Sequence, residues 1–427
     1  MARNTKTDLR SAVLYSVFVR NHSREGTFRA VEADLGRIRA LGTDIIWLMP
    51  IHPIGMKNRK GSLGSPYAIQ DYRKINHEYG SHEDFVSLVD AIHRRGMKCI
   101  IDVVYNHTSP DSWLAENHPE WFYKKADGAF GNKVGEWHDV IDLDYAQPAL
   151  WDYQIETLKM WARHVDGFRC DVAPLIPLDF WLAAREGVAE VRQDCLWLSE
   201  SVEPAFTAHN RANGLTSLSD SEIFQAFDVS YDYDIYPWYA GYFEGKNTLA
   251  DYADKMNCQE TNYPANYVKL RFLENHDRSR ARRLIPDDAA LRNWTAFLYF
   301  QKGMTMIYAG QEAGNVDTPN LFDADPVGWD KGCDLSAFMA ALAGIKKDPL
   351  FANSQYHVSA LPGDMAVAVH QAKGRRMCGV FSLRGQASPV QTDAPSGEYT
   401  NLIDGTSFRI ENGTLNCNGA PIIFAFF

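Results

Sequence analysis

Along most of the chain the apolar positions switch between a strand period and a helix period. From Ala12 to about Lys347, short β-branched or aromatic runs give way to helical stripes and back again. Ala12–Val19 reads as a strand, after which Val31, Leu35, Ile38 and Leu41 draw one stripe of an amphipathic helix. Asp44–Met49 is the next strand. Ser81, with Asp84 three residues on and Phe85, Leu88, Val89 and Ile92 behind it, has the form of a capping box opening a second helix. Lys98–Tyr105 predicts a strand buried on both faces. Trp151, Ile155, Leu158, Ala162 and Val165 predict another helix. Gly167–Cys170, Leu196–Ser199, Phe227–Ser230, Tyr267–Leu273 and Met304–Tyr308 predict further strands, and Leu335, Phe338, Met339, Leu342 and Ile345 a last helix.

Eight strands with helices between most of them predict an α/β fold, a parallel sheet closed into a TIM (β/α)8 barrel. An open, doubly wound sheet is the competing reading of the same pattern. The rhythm breaks at 108–146, a stretch rich in Trp, Tyr, Asp and Gly that reads as a small domain inserted between strand 3 and helix 3. The helical period also stops after Lys347. From there short alternating runs are punctuated by Pro362-Gly363-Asp364, Asp404-Gly405, Asn412-Gly413 and Asn418-Gly419, which predicts an antiparallel β-sandwich. The expected organisation is a barrel over 1–107 and 147–348, an insertion over 108–146 and a C-terminal β-domain over 349–427.

Composition narrows the partners. Apolar residues make up 45% and charged residues 23%, which excludes a disordered, collagen-like or coiled-coil chain. The formal net charge of −11 repels phosphate backbones and anionic lipid, so a neutral substrate is expected and nucleic acid is not. No run of about 18 apolar residues is present, so no membrane span is expected. The first ten residues are polar and the apolar stretch after them is interrupted by Tyr15 and Ser16, unlike a signal peptide. The seven cysteines form no CxxC pair, and Cys99 and Cys170 sit inside strand-like runs as buried thiols. A reducing, cytoplasmic home follows as the simplest expectation. Nothing in the pattern sets the oligomeric state.

The candidate chemistry lies where the strands end, because barrel enzymes carry their catalytic groups at the carboxyl ends of strands. The third strand ends Asp102-Val-Val-Tyr-Asn106-His107, the fourth Arg169-Cys-Asp171, the fifth Ser199-Glu200, and the seventh Asn275-His276-Asp277. Taken singly, a strand-end Asp is commonly a helix cap or turn residue, and a strand His is a core residue. Arg169 faces the same way as Asp171 and reads as its ion-pair partner. Taken together on one rim, Asp171, Glu200 and Asp277 with Arg169, His107 and His276 suit glycoside hydrolysis, in which one carboxylate attacks and another donates a proton. The rival is a metal site, and without HExxH or clustered cysteines that metal would be a hard ion such as Mg2+.

At these residues the chain resembles the α-amylase family, glycoside hydrolase family 13. Four motifs match in order: Asp102-Val-Val-Tyr-Asn-His107, Gly167-Phe-Arg-Cys-Asp171, Glu200 at its strand end, and Phe272-Leu-Glu-Asn-His-Asp277. Gly64-Ser-Pro-Tyr67-Ala-Ile-Gln-Asp71-Tyr72 and Val140-Ile-Asp142-Leu-Asp144 join them. The resemblance implies a retaining mechanism with Asp171 as nucleophile, Glu200 as acid and base, and Asp277 as the carboxylate that binds sugar hydroxyls. It makes Arg169 the residue that orients Asp171, His107 and His276 donors to sugar hydroxyls, and Tyr67 the ring beneath the glucose at the cleavage point. It implies no organic cofactor, but a structural Ca2+ held by Asn106 and Asp142. The family's other calcium loop is replaced by Asn21-His-Ser-Arg-Glu-Gly26. The paired carboxyls of a retaining enzyme lie about 5 to 5.5 Å apart. Glu200 is expected to have a raised pKa, and Asp171, beside Arg169, a lowered one.

Departures bear on linkage. Val172-Ala173-Pro174-Leu175 stands where many endo-acting α-amylases carry a Lys-His pair, and a valine after the nucleophile resembles members that cut α-1,6 branches. Asp144 and Ile141 differ from those members, which usually have Asn and Pro. The expected activity is hydrolysis of α-1,4 bonds in malto-oligosaccharides or starch fragments. An α-1,6-glucosidase or 4-α-glucanotransferase is the alternative, and a non-catalytic sugar-binding relative a more distant one. The aromatics of the insertion and those after the sixth strand (Tyr231, Tyr233, Tyr236, Trp238) read either as sugar platforms or as core.

Overall fold

A computed structural model describes residues 4–427 apart from 136 and 331. Eight strands close into a parallel barrel: β1 (Val13–Val17), β2 (Ile45–Leu48), β3 (Lys98–Val103), β4 (Gly167–Cys170), β5 (Leu196–Ser199), β6 (Val229–Tyr231), β7 (Lys269–Arg271) and β8 (Met304–Tyr308). Each strand pairs with its neighbours in sequence, and β8 closes on β1 with Val13 opposite Thr305. Strands such as Ile45–Leu48 and Leu196–Ser199 are buried at every position, because barrel side chains fill one face and the helix ring covers the other. Gly167 opens β4 for a steric reason: a Cβ there would lie 2.3 Å from the Leu196 carbonyl oxygen on β5.

The outer ring is formed by α1 (Phe28–Ala40), α2 (His82–Arg94), α3 (Pro148–Ala162), α4 (Leu178–Ala189), α5 (Pro204–Ala212), α6 (Leu249–Asn262), α7 (Asp288–Phe300) and α8 (Ser336–Lys346). The α2 capping box forms as expected, with the Asp84 N–H donating to Ser81 Oγ at 3.2 Å and the Ser81 N–H donating to Asp84 Oδ2 at 3.0 Å. The apolar stripes do not single out α4 to α7. In α7 the cause is burial all round: every residue from Asn293 to Phe300 is buried, so no polar face marks the period. Its outer side is covered by the C-terminal domain, where the Ser382 N–H donates to Asn293 Oδ1 at 2.8 Å and Phe297 packs on Phe381.

Between β3 and α3 the chain leaves the barrel and returns through a two-stranded ribbon, His107–Thr108 antiparallel to Ile141–Asp142. Trp121 and Phe122 are buried inside this excursion, and His118 stacks on Trp121 at 3.8 Å, so these aromatics are core. The C-terminal domain is a sandwich of two antiparallel sheets. One holds β9 (Gln355–Leu361), β10 (Met365–Ala372), β11 (Arg375–Ser382) and β16 (Ile422–Phe426). The other holds β12 (Ser388–Gln391), β13 (Gly397–Thr400), β14 (Ser407–Glu411) and β15 (Thr414–Cys417). Val380 and Phe424 from the first pack on Val390, Ile410 and Leu415 from the second. Asn412 and Gly413, with φ of 49° and 78°, make the two-residue β14–β15 turn that such hairpins favour.

Cys99 and Cys170 are buried free thiols, as expected. Among the described residues no helix is long and apolar enough to cross a membrane.

Candidate active site

The closed parallel barrel brings the strand ends to one rim, and Arg169 of β4 is the hub there. It stands directly opposite Asp102 of β3 in the ladder and is fully buried. Its Nη1 donates to Asp102 Oδ1 at 2.9 Å and to Asp171 Oδ1 at 2.8 Å. Its Nη2 lies 2.9 Å from Glu200 Oε1 as an ion contact, without the alignment of a hydrogen bond. The rings of Trp47, Tyr67 and Tyr231 box the guanidinium at 5.0, 5.6 and 5.4 Å, which holds its plane while the carboxylates hold its charge.

The loop after β2 delivers Tyr67. Its hydroxyl lies 2.8 Å from His276 Nε2 and 3.2 Å from Asp102 Oδ2, and its ring stacks on His276 with 17° between planes. His276 Nε2 lies 3.1 Å from Asp277 Oδ2. The Asp277 side chain is 45% exposed, whereas those of Asp171 and Glu200 are below a tenth. His107, at the start of the insertion ribbon, is buried with its ring against Trp137. The structure thus gathers Tyr67, Arg169, Asp171, Glu200, His276 and Asp277 in one connected cluster at the strand ends. Asn106 and Asp142 meet each other at the ribbon instead.

Electrostatics separates the three carboxyls. Burial pushes Glu200 up to about 7, with Arg169 resisting and the Asp171 and Asp277 charges adding to the rise. Burial also raises Asp171, to about 6, despite Arg169. The expected lowering of Asp171 is therefore corrected. One guanidinium is shared by Asp102, Asp171 and Glu200, and the charges of Asp102 and Asp277 add to the desolvation, so its attraction does not offset burial. Asp277 goes the other way. Its partial burial is outweighed by the charge and hydrogen bond of His276, with help from Arg169 and Arg278, and it falls to about 2.

Two features had no place among the candidates read from the sequence. Asp102, inside an apolar strand, carries the second hydrogen bond to Arg169, and its inward register beside Arg169 was the available signal. Val172 has φ 34° and ψ 43°, a left-handed conformation that β-branched residues rarely adopt. That turn aims its backbone N–H at Glu200 Oε2, 2.9 Å away. No side-chain pattern encodes it. Tyr231 and Tyr233 are buried, the first against Arg169, whose Nε donates to its hydroxyl at 3.4 Å, and the second under Arg278 with its hydroxyl accepting from Asn275 Nδ2 at 2.8 Å.

Two buried carboxyls of unequal pKa and a third that stays ionised, on the carboxyl rim of a (β/α)8 barrel, are equipment for chemistry at a glycosidic bond. Comparison with known proteins agrees. The family model for the alpha amylase catalytic domain matches residues 11–360, and that for the bacterial alpha amylase C-terminal domain matches residues 357–424. The chain belongs to the α-amylase family. It is similar to the crystal structure of an alpha-amylase from Lactobacillus plantarum, with 46% identity, a TM-score of 0.96, and coverage of 99% of this chain and 100% of that one. It is 25% identical to alpha-amylase MalA of Haloarcula japonica, over 92% of this chain and 58% of that protein. It is 32% identical to an alpha-1,4-glucan:maltose-1-phosphate maltosyltransferase of Rhodospirillum rubrum, over 59% of this chain and 37% of that protein. The chain thus spans about half or less of these two curated relatives.

Proposed function

We propose that the protein hydrolyses α-1,4-glucosidic bonds of malto-oligosaccharides by double displacement. Asp171 attacks the anomeric carbon while Glu200 passes its proton to the departing glycosidic oxygen, leaving a glycosyl ester on Asp171. Glu200, now a carboxylate, takes a proton from water as that water attacks the same carbon and frees the sugar with retained configuration. The observation that carries this reading is geometric: Asp171 and Glu200 follow adjacent barrel strands and meet one buried guanidinium, Arg169 Nη1 lying 2.8 Å from Asp171 Oδ1 and Nη2 2.9 Å from Glu200 Oε1, while burial raises the Glu200 carboxyl in the direction a proton donor needs. The Val172 N–H and Arg169 hold the Glu200 carboxyl from both oxygens. Asp277, charged and with its side chain partly exposed, is suited to bind sugar hydroxyls, and the stacked Tyr67–His276 pair offers a floor for a glucose ring.

The maltosyltransferase relatives support a second reading within the same chemistry, in which a sugar hydroxyl replaces water in the second step. Incubation with maltoheptaose, isomaltose and panose, with products resolved by chain length, separates the readings. Only shorter malto-oligosaccharides are expected. Products longer than maltoheptaose would move the assignment to transfer, and activity confined to isomaltose would overturn the α-1,4 reading.

A further inference from the structure

The insertion returns to the barrel through the His107–Thr108 and Ile141–Asp142 ribbon, and it is here that a family calcium would be sought, at Asn106 and Asp142. The donor set does not fit that ion. Ca2+ takes about six to eight oxygens. Asn106 presents Nδ2 to Asp142 Oδ1 at 3.5 Å and to His107 Nδ1 at 3.2 Å. Asp142 Oδ1 also accepts from Asn132 Nδ2 at 3.2 Å, and its Oδ2 accepts the Lys133 backbone N–H at 2.6 Å. The Asn106 carbonyl accepts from the Leu143 N–H, and the Asp142 carbonyl from the Tyr123 N–H, each at 2.9 Å. Among the described residues no three His, Cys, Asp or Glu side chains are grouped to hold a metal.

The neighbouring Leu143 carbonyl is taken by a cation already covalently part of the chain: Lys133 Nζ donates to it at 2.7 Å. Burial pulls the Lys133 ammonium below its ordinary pKa, and the negative charges of Asp142 and Asp144 pull it back up. A cavity of about 190 Å3 borders Asn106, Lys133, Asp142 and Asp144, so room for an ion is not what is lacking. Both oxygens of the Asp142 carboxylate and the Asn106, Asp142 and Leu143 carbonyls already accept hydrogen bonds, and a resident positive charge repels a second cation.

We propose that the Lys133 ammonium is the built-in cation of this junction, docking the insertion on the barrel end so that the protein holds its fold without calcium. A tethered ammonium is always at hand and no chelator removes it.

Thermal unfolding of the wild-type protein after dialysis against EGTA, and again in excess CaCl2 with MgCl2 as the ionic control, tests this directly. The same Tm is expected in all three, with no stoichiometric calcium in elemental analysis of the purified protein. Lys133→Met, which keeps the stem and removes the charge, is expected to melt several degrees lower in EGTA. A wild-type Tm that drops in EGTA and recovers with CaCl2 but not MgCl2 would overturn the proposal. So would Lys133→Met melting with the wild type in EGTA. If that variant does not fold, the wild-type measurements decide by themselves.

Discussion

Replacing Glu200 by Gln should stabilise the protein while removing its activity, and the size of the gain depends on pH. Burial raises Glu200 from an ordinary 4.5 to about 7, so the folded protein keeps this proton where the unfolded chain has released it. The stability this contributes is complete below pH 4.5 and is lost as pH rises through about 7. At about 1.4 kcal/mol per pH unit, the full loss for one isolated group is on the order of 3 kcal/mol. Asp102 and Asp171 share Arg169 and titrate with Glu200, so relief of one charge is spread over the cluster and about 1–3 kcal/mol is expected. Gln keeps the shape and carries no charge to bury. Glu200→Gln should therefore melt a few degrees above the wild type at about pH 8, with the gap closing towards pH 4.5. Differential scanning calorimetry across that range is the assay. An equal or lower Tm at alkaline pH, or a gap that does not change with pH, would refute the reasoning that burial strains this carboxyl.

Three further outcomes follow from the same geometry. Asp171→Asn should lower kcat by at least about a thousandfold, because the amide cannot form the glycosyl ester, while calorimetric titration with maltotetraose still detects binding. The pH profile of kcat/KM should be a narrow bell, rising as Asp171 ionises near 6 and falling as Glu200 loses its proton near 7, with both apparent values belonging to the pair. Away from the cleft, Lys269 is fully buried with its Nζ on Asp220 and 2.7 Å from Asp234 Oδ1. Lys269→Met should cost about 3–5 kcal/mol in chemical denaturation near neutrality, and less in acid as the abandoned carboxylates take up protons.

How much of the fold was legible follows from where polarity marks the period. Most barrel strands stand out as short apolar runs, but Tyr267–Leu273 shrinks to Lys269–Arg271, whose two charged residues are buried in ion pairs with Asp220, Asp234 and Asp232. The helices α1 and α2 are legible because one face of each meets water, and α7 is not because it has barrel on one side and sandwich on the other. The sandwich turns are legible where Asn-Gly supplies two left-handed positions, and Val172 is not, because nothing in a valine announces one.

By itself, the sequence determined the alternation of eight strands with helices. With it came the certainty that, if the sheet closed, Asp171, Glu200 and Asp277 would share a rim, because all strands of a parallel barrel end at the same side. Tertiary structure alone decided how charge is distributed on that rim. Arg169 is divided among three carboxylates, Asp102, Asp171 and Glu200, that lie far apart in the chain, so burial wins over attraction at Asp171 and Glu200, while at the more exposed Asp277 the charge of His276 wins over burial. It also decided that a lysine of the insertion meets the carbonyl beside Asp142, a contact that periodicity cannot encode because it depends on where a loop folds back.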